Sequence, residues 1–431
     1  VSLVFVARGR LGMGRGQGGR GAAARLARGI LLGRLALLWL RKGVCSMKIA
    51  LSILCENPQR KTGLTTTYHE FVARSLNLYP DLSWIVFVGP RQEWKVDSPR
   101  VEVIRQFPAN DQLKRRLFAD HFQVPAVARA RGADVMISTG FVPIRKCLPT
   151  VMHVFSLQHL DKSNRIGLGR GLYRQLVMKH SWPKADLIIT NSKFAVSQIL
   201  GVYPELEPRL VQAYEGLRHE QFHTRALPGE AERVLAATSV ARDYFLWISN
   251  FYPYKQADRL LEGYALLEPE FRKRHPLVMV GGDWENQLEA CRELARARGI
   301  DREVVFVGWA PDDLLAPLYR HAVAHCMGSR EETFGRTIIE SMACGTPCIT
   351  NDIPIMREVT DGRALIVDFG DATQVAEALR RVVEDKPLRK RLIEEGLRRA
   401  AQFSFEAFTS ERIDAIQRRF LDPARTPAAK G

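Results

Sequence analysis

From Met47 onward, short apolar and β-branched runs alternate with helix-length stretches, and this alternation constrains the fold of the 431-residue chain more than anything else in it. The runs are Lys48–Leu54, Trp84–Val88, Val135–Ile137, Val151–Val154 and Leu187–Thr190, then Tyr244–Ile248, Leu277–Val280, Val304–Val307, Cys348–Thr350 and Leu365–Val367. Between them lie segments with i, i+3, i+4 apolar spacing, such as Arg259–Leu267. Continuous apolar strands separated by helices indicate parallel sheets covered on both faces. Ten strands exceed one ordinary doubly wound sheet and divide into two of about five. The polar stretch Arg218–Arg233, with Pro228-Gly229-Glu230 and no strand pattern, marks the boundary. The expected class is α/β, with Rossmann-like domains over 47–225 and 226–405 facing a central cleft, a helix within 406–431 crossing back, and a leader over 1–46. In such sheets ligands bind beyond the carboxyl ends of the strands.

The net charge of +16 is unevenly spread. Residues Val1–Ser46 carry eight Arg, one Lys and no acid, which leaves the rest of the chain at +7. That body suits an acidic small substrate or an anionic membrane surface and argues against specific nucleic-acid binding. The leader's apolar core, Ile30–Leu40, is broken by Gly33 and Arg34, and its arginines do not gather on one helical face. The expectation is a disordered or mis-assigned extension ahead of a start at Met47; a basic membrane tether is the sharper alternative. Seven scattered cysteines without a Cys-x-x-Cys pair suggest a reducing cytosol, with neither a disulfide framework nor a zinc site. No run of eighteen apolar residues provides a transmembrane span.

The richest constellation is Ser329-Arg330-Glu331-Glu332-Thr333-Phe334-Gly335-Arg336-Thr337-Ile338-Ile339-Glu340-Ser341-Met342-Ala343-Cys344-Gly345-Thr346-Pro347. It reads as loop, glycine turn, helix, glycine stop and strand, with the helix running from near Gly335 to Gly345. The free N–H groups and dipole at its start suit a diphosphate, and Thr337 adds a hydroxyl in the first turn. Glu332 precedes this end, and Glu340 lies about 7–8 Å further along the helix. Each carboxylate can bridge two adjacent hydroxyls, so one glutamate can grip a sugar and the other a ribose. That is the length order of a nucleotide sugar.

Glu332 and Glu340, framed by Phe334-Gly335 and by Ser341–Pro347, resemble the signature of retaining glycosyltransferase family 4, the group 1 transferases, which have the GT-B fold. The resemblance extends over nearly all of residues 47–420. It implies donor contacts from Gly63, Asn250, Lys255, Glu332, Phe334, Gly335, Arg336, Thr337 and Glu340, and catalytic roles for Glu332, His153 and Lys255. Ile248–Lys255 is similar to the strand and turn that bring basic residues to the donor diphosphate, although the family usually has arginine where Asn250 stands. Lys255 precedes a helix, where the dipole disfavours a cation unless an anion is present; a solvent-exposed turn lysine is the plainer alternative. Gly63 matches a glycine that lets backbone approach the donor, or serves a plain strand–helix turn. The family's His-Asp falls either on Phe155-Ser156, when Pro149 and Leu157-Gln158-His159 anchor the match, or on His153. His153 can equally be a buried structural histidine. Gly216 resembles the interdomain glycine turn, and Leu365–Asp371 and Phe403–Glu406 fit the closing segments.

The resemblance further implies a metal-independent reaction without a cofactor beyond the nucleotide-diphosphate sugar co-substrate. Lys255 and the helix start would neutralise the departing diphosphate. The expected enzyme is a cytoplasmic retaining hexosyltransferase acting on a glycan or lipid-linked acceptor, with peripheral contact at the inner face of the membrane. The basic-apolar segments Lys114–Phe118 and Arg170–Trp182 could meet an anionic bilayer or be solvated helix faces. Asn250 and the irregular His-Asp region motivate one alternative, a non-catalytic GT-B module that binds sugar or nucleotide.

Overall fold

A computed structural model describes residues 46–56, 63–157, 179, 181–240, 242–283 and 286–421. The leader to residue 45, loop 57–62, the anchors Gln158 and His159, most of segment 170–182 and the last ten residues lie outside them.

The chain forms two parallel sheets rather than two of five strands. The first has seven strands in the order β3-β2-β1-β4-β5-β6-β7: Met47–Ser52, Leu82–Phe87, Val101–Ile104, Val135–Thr139, Thr150–Val154, Leu187–Thr190 and Leu210–Gln212 for β1 to β7. The second has six in the order β10-β9-β8-β11-β12-β13: Tyr244–Ile248, Leu277–Val280, Val304–Gly308, Ala322–Met327, Cys348–Asn351 and Leu365–Val367 for β8 to β13. Both follow the doubly wound pattern, with a reversal of order between β1 and β4 and between β8 and β11. The architecture is GT-B: two Rossmann-like lobes.

Alternation along the strands builds a core on each sheet face. In β1, Met47, Ile49 and Leu51 enter one cluster with Trp84 and Tyr68, while Ala50 enters another with Ile85 and Phe87. In β8, Phe245 and Trp247 face one core and Tyr244 and Leu246 the other. Three strands were absent from the sequence reading. Val101–Ile104 and Leu210–Gln212 are short edges, and Ala322–Met327 is built from Ala, His, Cys and Met with a single β-branched residue. The latter is nevertheless central and buried throughout, between β8 and β12.

The last helix, Phe405–Phe420, starts at Ser404, whose side chain accepts from Ala407 N. It buries Phe405, Phe408, Ile413 and Ile416 in the first lobe's core, with Phe408 5.7 Å from Phe71 between ring centres. Arg412, 1% exposed, donates to the carbonyls of Ala213 and Tyr214 at 3.0 Å and lies over the Phe408 ring. The next residue but one, Gly216, passes so close to this helix that a Cβ would stand 2.8 Å from the Phe405 ring. Gly216→Ala should therefore push the helix off its seat and cost about 1–3 kcal/mol. Urea unfolding measures it; an unchanged midpoint would mean the helix is not held against this linker.

Candidate active site

Two loops at the reversal of strand order in the second sheet converge. After β8 the chain makes a 3₁₀ turn, Pro253–Lys255, and Gln256 adopts φ +51° before the helix Ala257–Ala265 begins. After β11 comes the loop carrying Ser329 to Phe334. Arg330 N donates to Tyr254 O at 2.8 Å and ties the two loops together. Lys255 Nζ then pairs with Glu332 Oε1, to which Ser329 Oγ also donates at 3.1 Å. The Lys255 and Glu332 side chains are 14% and 15% exposed, and the ammonium lies 5.0 Å from the centre of the Tyr254 ring. Asn351, at the end of β12, braces the site from below: its Nδ2 donates to Ser329 O at 3.2 Å and to Gln256 Oε1 at 3.3 Å. Asn250 uses its own Oδ1 to accept from Gly282 N at 3.2 Å, so it braces β8 against β9 and supplies no cation.

The helix Arg336–Ala343 opens beside this pair. Gly335 caps it at φ +89°, without a side-chain hydrogen bond, and a Cβ there would meet Met356 Cε at 2.8 Å. Glycine is thus required, and the helix start keeps its outward N–H groups and positive end for an anion. Thr337 Oγ1 donates to Met327 Sδ at 3.5 Å. Phe334, 2% exposed, packs on Phe403 and Tyr214 and supports the loop from behind.

Arg336 crosses to the first lobe. It donates to Gly63 O at 3.1 Å, Thr67 Oγ1 at 2.6 Å and Glu215 Oε2 at 3.0 Å. Arg336 and Gly63 are therefore together, across the cleft from one another. Thr333 Oγ1 makes a second crossing, donating to Phe155 O at 2.6 Å, and Glu358 a third, accepting from the N–H groups of Lys193 and Phe194, both at 2.8 Å.

Two of the expected site residues lie in the interior. His153 is not a cleft residue: it is 1% exposed, its Nδ1 lies 3.2 Å from Tyr68 Oη, and its ring stacks on Tyr68 at 5.9 Å. Burial, with Arg412 nearby, holds its pKa well below the usual histidine value. Phe155, two residues on, is the one whose backbone meets the opposite lobe. Glu340 is also buried. It is 7% exposed, and Tyr319 Oη donates to its Oε2 at 3.2 Å. Burial raises its pKa, opposed by the Arg336 and Arg218 guanidinium groups. Sequence reasoning assigned no role to Glu215, Ser329, Asn351 or Tyr68; Glu215, beside the interdomain glycine, and Ser329, at the head of the signature segment, carry a local signal.

Among the described residues, no group of three or more His, Cys, Asp or Glu side chains is arranged to hold a metal ion, and no helix is long and apolar enough to cross a membrane.

A carboxyl with a raised folded pKa keeps its proton in the native state where the unfolded chain has released it, so stability falls as pH rises through that interval. Glu340→Gln should flatten this slope above the ordinary carboxylate range. Melting temperatures of the two proteins from pH 4 to 8 test it; parallel curves would place the titration elsewhere.

O-antigen chain mannosyltransferase B of Escherichia coli is 29% identical over 247 residues, 57% of this chain and 64% of that protein, so the match spans less than two thirds of the relative's length. Among solved structures, sucrose-phosphate synthase from Thermosynechococcus elongatus superposes with a TM-score of 0.73 at 20% identity, covering 87% of this chain and 99% of that one. Anabaena HepE, solved in complex with UDP and glucose, gives 0.65 at 16% identity, covering 86% and 99%. Residues 236–399, which contain Asn250, Lys255, Glu332 and Glu340, match the family model of glycosyl transferases group 1.

Proposed function

We propose that the chain is a retaining glycosyltransferase of family 4, moving a hexosyl unit from a nucleotide-diphosphate sugar to a hydroxyl of a glycan or lipid-linked envelope precursor in the cytoplasm. The observation that carries this reading is the Lys255–Glu332 pair set before the uncapped start of helix Arg336–Ala343. An arriving diphosphate competes with Glu332 for Lys255 and docks at the helix N–H groups, and the freed carboxylate then accepts from sugar hydroxyls. Glu340, a little over one turn along, is the candidate for the ribose. The relatives support the sugar class: one is named a mannosyltransferase, and HepE was solved with UDP and glucose.

In this mechanism the bond between the anomeric carbon and the diphosphate oxygen breaks, and the acceptor oxygen attacks from the same face. The acceptor proton passes to the departing phosphate oxygen. Lys255 and the helix start stabilise the charge that develops on the leaving group without a divalent ion. Arg336, held to Gly63, Thr67 and Glu215, keeps the lobes together over the reacting atoms and excludes water. Asn250, neutral where the family has arginine, favours one competing reading, a sugar- or nucleotide-binding module without turnover.

Thermal shifts with UDP, GDP, ADP, dTDP and their sugar conjugates separate these readings. One base should raise the melting temperature by about 5 °C at saturating ligand, with the effect lost in Lys255→Ala and reduced in Glu340→Ala. With that donor and an acceptor, Glu332→Gln should lower kcat about 100-fold, and the product's anomeric configuration, read by NMR, should match the donor's. Binding without turnover would select the non-catalytic module; no shift with any nucleotide would overturn the donor site itself.

A further inference from the structure

The second lobe carries a cavity of about 230 Å³ that the proposed reaction does not use. Phe251, Tyr252 and Pro253, on the turn after β8, form one wall, and the helices Ala257–Ala265 and Gln287–Ala297 form the rest. None of the residues proposed for the donor lines it. Phe251, Ala257 and Cys291 belong to the core on one face of the second sheet, whereas Ile338, Ile339 and Met342 of helix Arg336–Ala343 belong to the core on the other. The cavity and the helix proposed for the diphosphate therefore lie on opposite faces of the sheet.

The walls are fixed from within. Phe251 N donates to Gly282 O at 3.0 Å, and the Phe251 ring lies 4.6 Å from that of Trp247. Asp283 Oδ1 accepts from Leu288 N at 3.0 Å, which ties the second helix to the loop after β9. Space remains between the helices because they face it with Ala257 and Ala290. Asp258 and Ala290 are exposed and place the mouth at the surface.

The lining selects a class of ligand. Tyr252 offers an aromatic ring beside the Asp258 carboxylate and the Gln287 amide. Arg259 Nε stands 3.8 Å from Asp258 Oδ2, beyond hydrogen-bond reach, so it does not take up that acceptor. Burial, then Asp258 and Asp283, push the Cys291 thiol up to about 12, so the thiol stays protonated. The same two carboxylates repel phosphate and exclude a nucleotide. A neutral pyranose meets every group: its C–H face packs on the negative face of an aromatic ring, its hydroxyls donate to a carboxylate, and an amide both donates and accepts.

We propose that this cavity is a second saccharide site, holding one hexose ring against Tyr252 with its hydroxyls on Asp258 and Gln287. The Tyr252 ring stacks on that of Tyr254 at 5.3 Å, and Tyr254 lies beneath Lys255 Nζ. An occupant thus steadies the turn that carries Lys255; that consequence rests on the donor reading above, whereas hexose binding does not. The ring can come from a free sugar or from one unit of a glycan.

Saturation-transfer NMR on the full chain tests the site with methyl glucoside, methyl mannoside and methyl galactoside, and with the matching linear trisaccharides. Expected is transfer to one or more hexosides, with a dissociation constant on the order of 1 mM. A trisaccharide that binds about tenfold tighter assigns the site to a glycan chain, and equal affinity assigns it to a free sugar. Asp258→Asn and Tyr252→Ala should each weaken binding about fivefold or more, and Ala290→Trp, which fills the mouth, should abolish it. Ala290→Trp should leave circular dichroism and the nucleotide thermal shift unchanged, so failure of the donor reading and failure of the saccharide site are told apart. No transfer to any hexoside, transfer kept in Ala290→Trp but lost in Glu332→Gln, or binding of tetramethylammonium in place of the sugars would overturn the proposal.

Discussion

The Glu215 carboxylate is the point on which the arrangement of the two lobes turns. It is 4% exposed, just past the last strand of the first sheet, and accepts from Asn191 at 3.2 Å and from Arg336 at 3.0 Å, one partner in each lobe. Buried Arg412 lies within its field, which opposes the desolvation that draws the guanidinium pKa down to about 10. Arg336 acts on Arg412 in the opposite sense. Without an anion between them, two guanidinium groups would face each other in a low-dielectric crossing. Because Arg336 is also the first residue of the helix beginning after Gly335, this ion pair fixes where that helix start points. The geometry of the cleft thus follows from a carboxylate that contacts no reacting group.

The two glutamates of the signature show how environment divides one residue type between roles. Glu332 sits in a loop at the strand ends, offset by an ammonium and a serine hydroxyl. Glu340 is enclosed by its own helix and Tyr319, where ionisation is resisted. Spacing alone made them equivalent; burial separates them.

Much of this was legible in the sequence because it depends on local pattern. Alternating apolar runs disclosed the parallel strands, and Gly335 and Gly345 bracketed the signature helix to within a residue or two. The failures have physical causes. Ala322–Met327 is a strand because neighbours on both sides bury it, not because its residues favour extended backbone. Edge strands of three or four residues give little periodicity. His153 was ambiguous because a histidine carries no mark of which face of a strand it will occupy, and here the Tyr68 and Phe71 side chains take it inward. Contacts such as Arg336 with Gly63, or Glu358 with Lys193, join residues 165 to 273 positions apart, beyond the reach of any local rule.

The return of helix Phe405–Phe420 to the first lobe also governs the order in which the molecule can be completed during synthesis. The first sheet is finished at Gln212, yet five buried apolar side chains of its core arrive only with the closing helix. At about 5–20 residues per second, the ribosome needs roughly 10–40 s to make the intervening second lobe. Throughout that interval the first lobe exposes the groove around Phe71 in which Phe408 will lie. Its maturation is therefore coupled to translation of the whole second lobe, and the nascent first lobe is the stage at which chaperone capture or aggregation competes most strongly with folding.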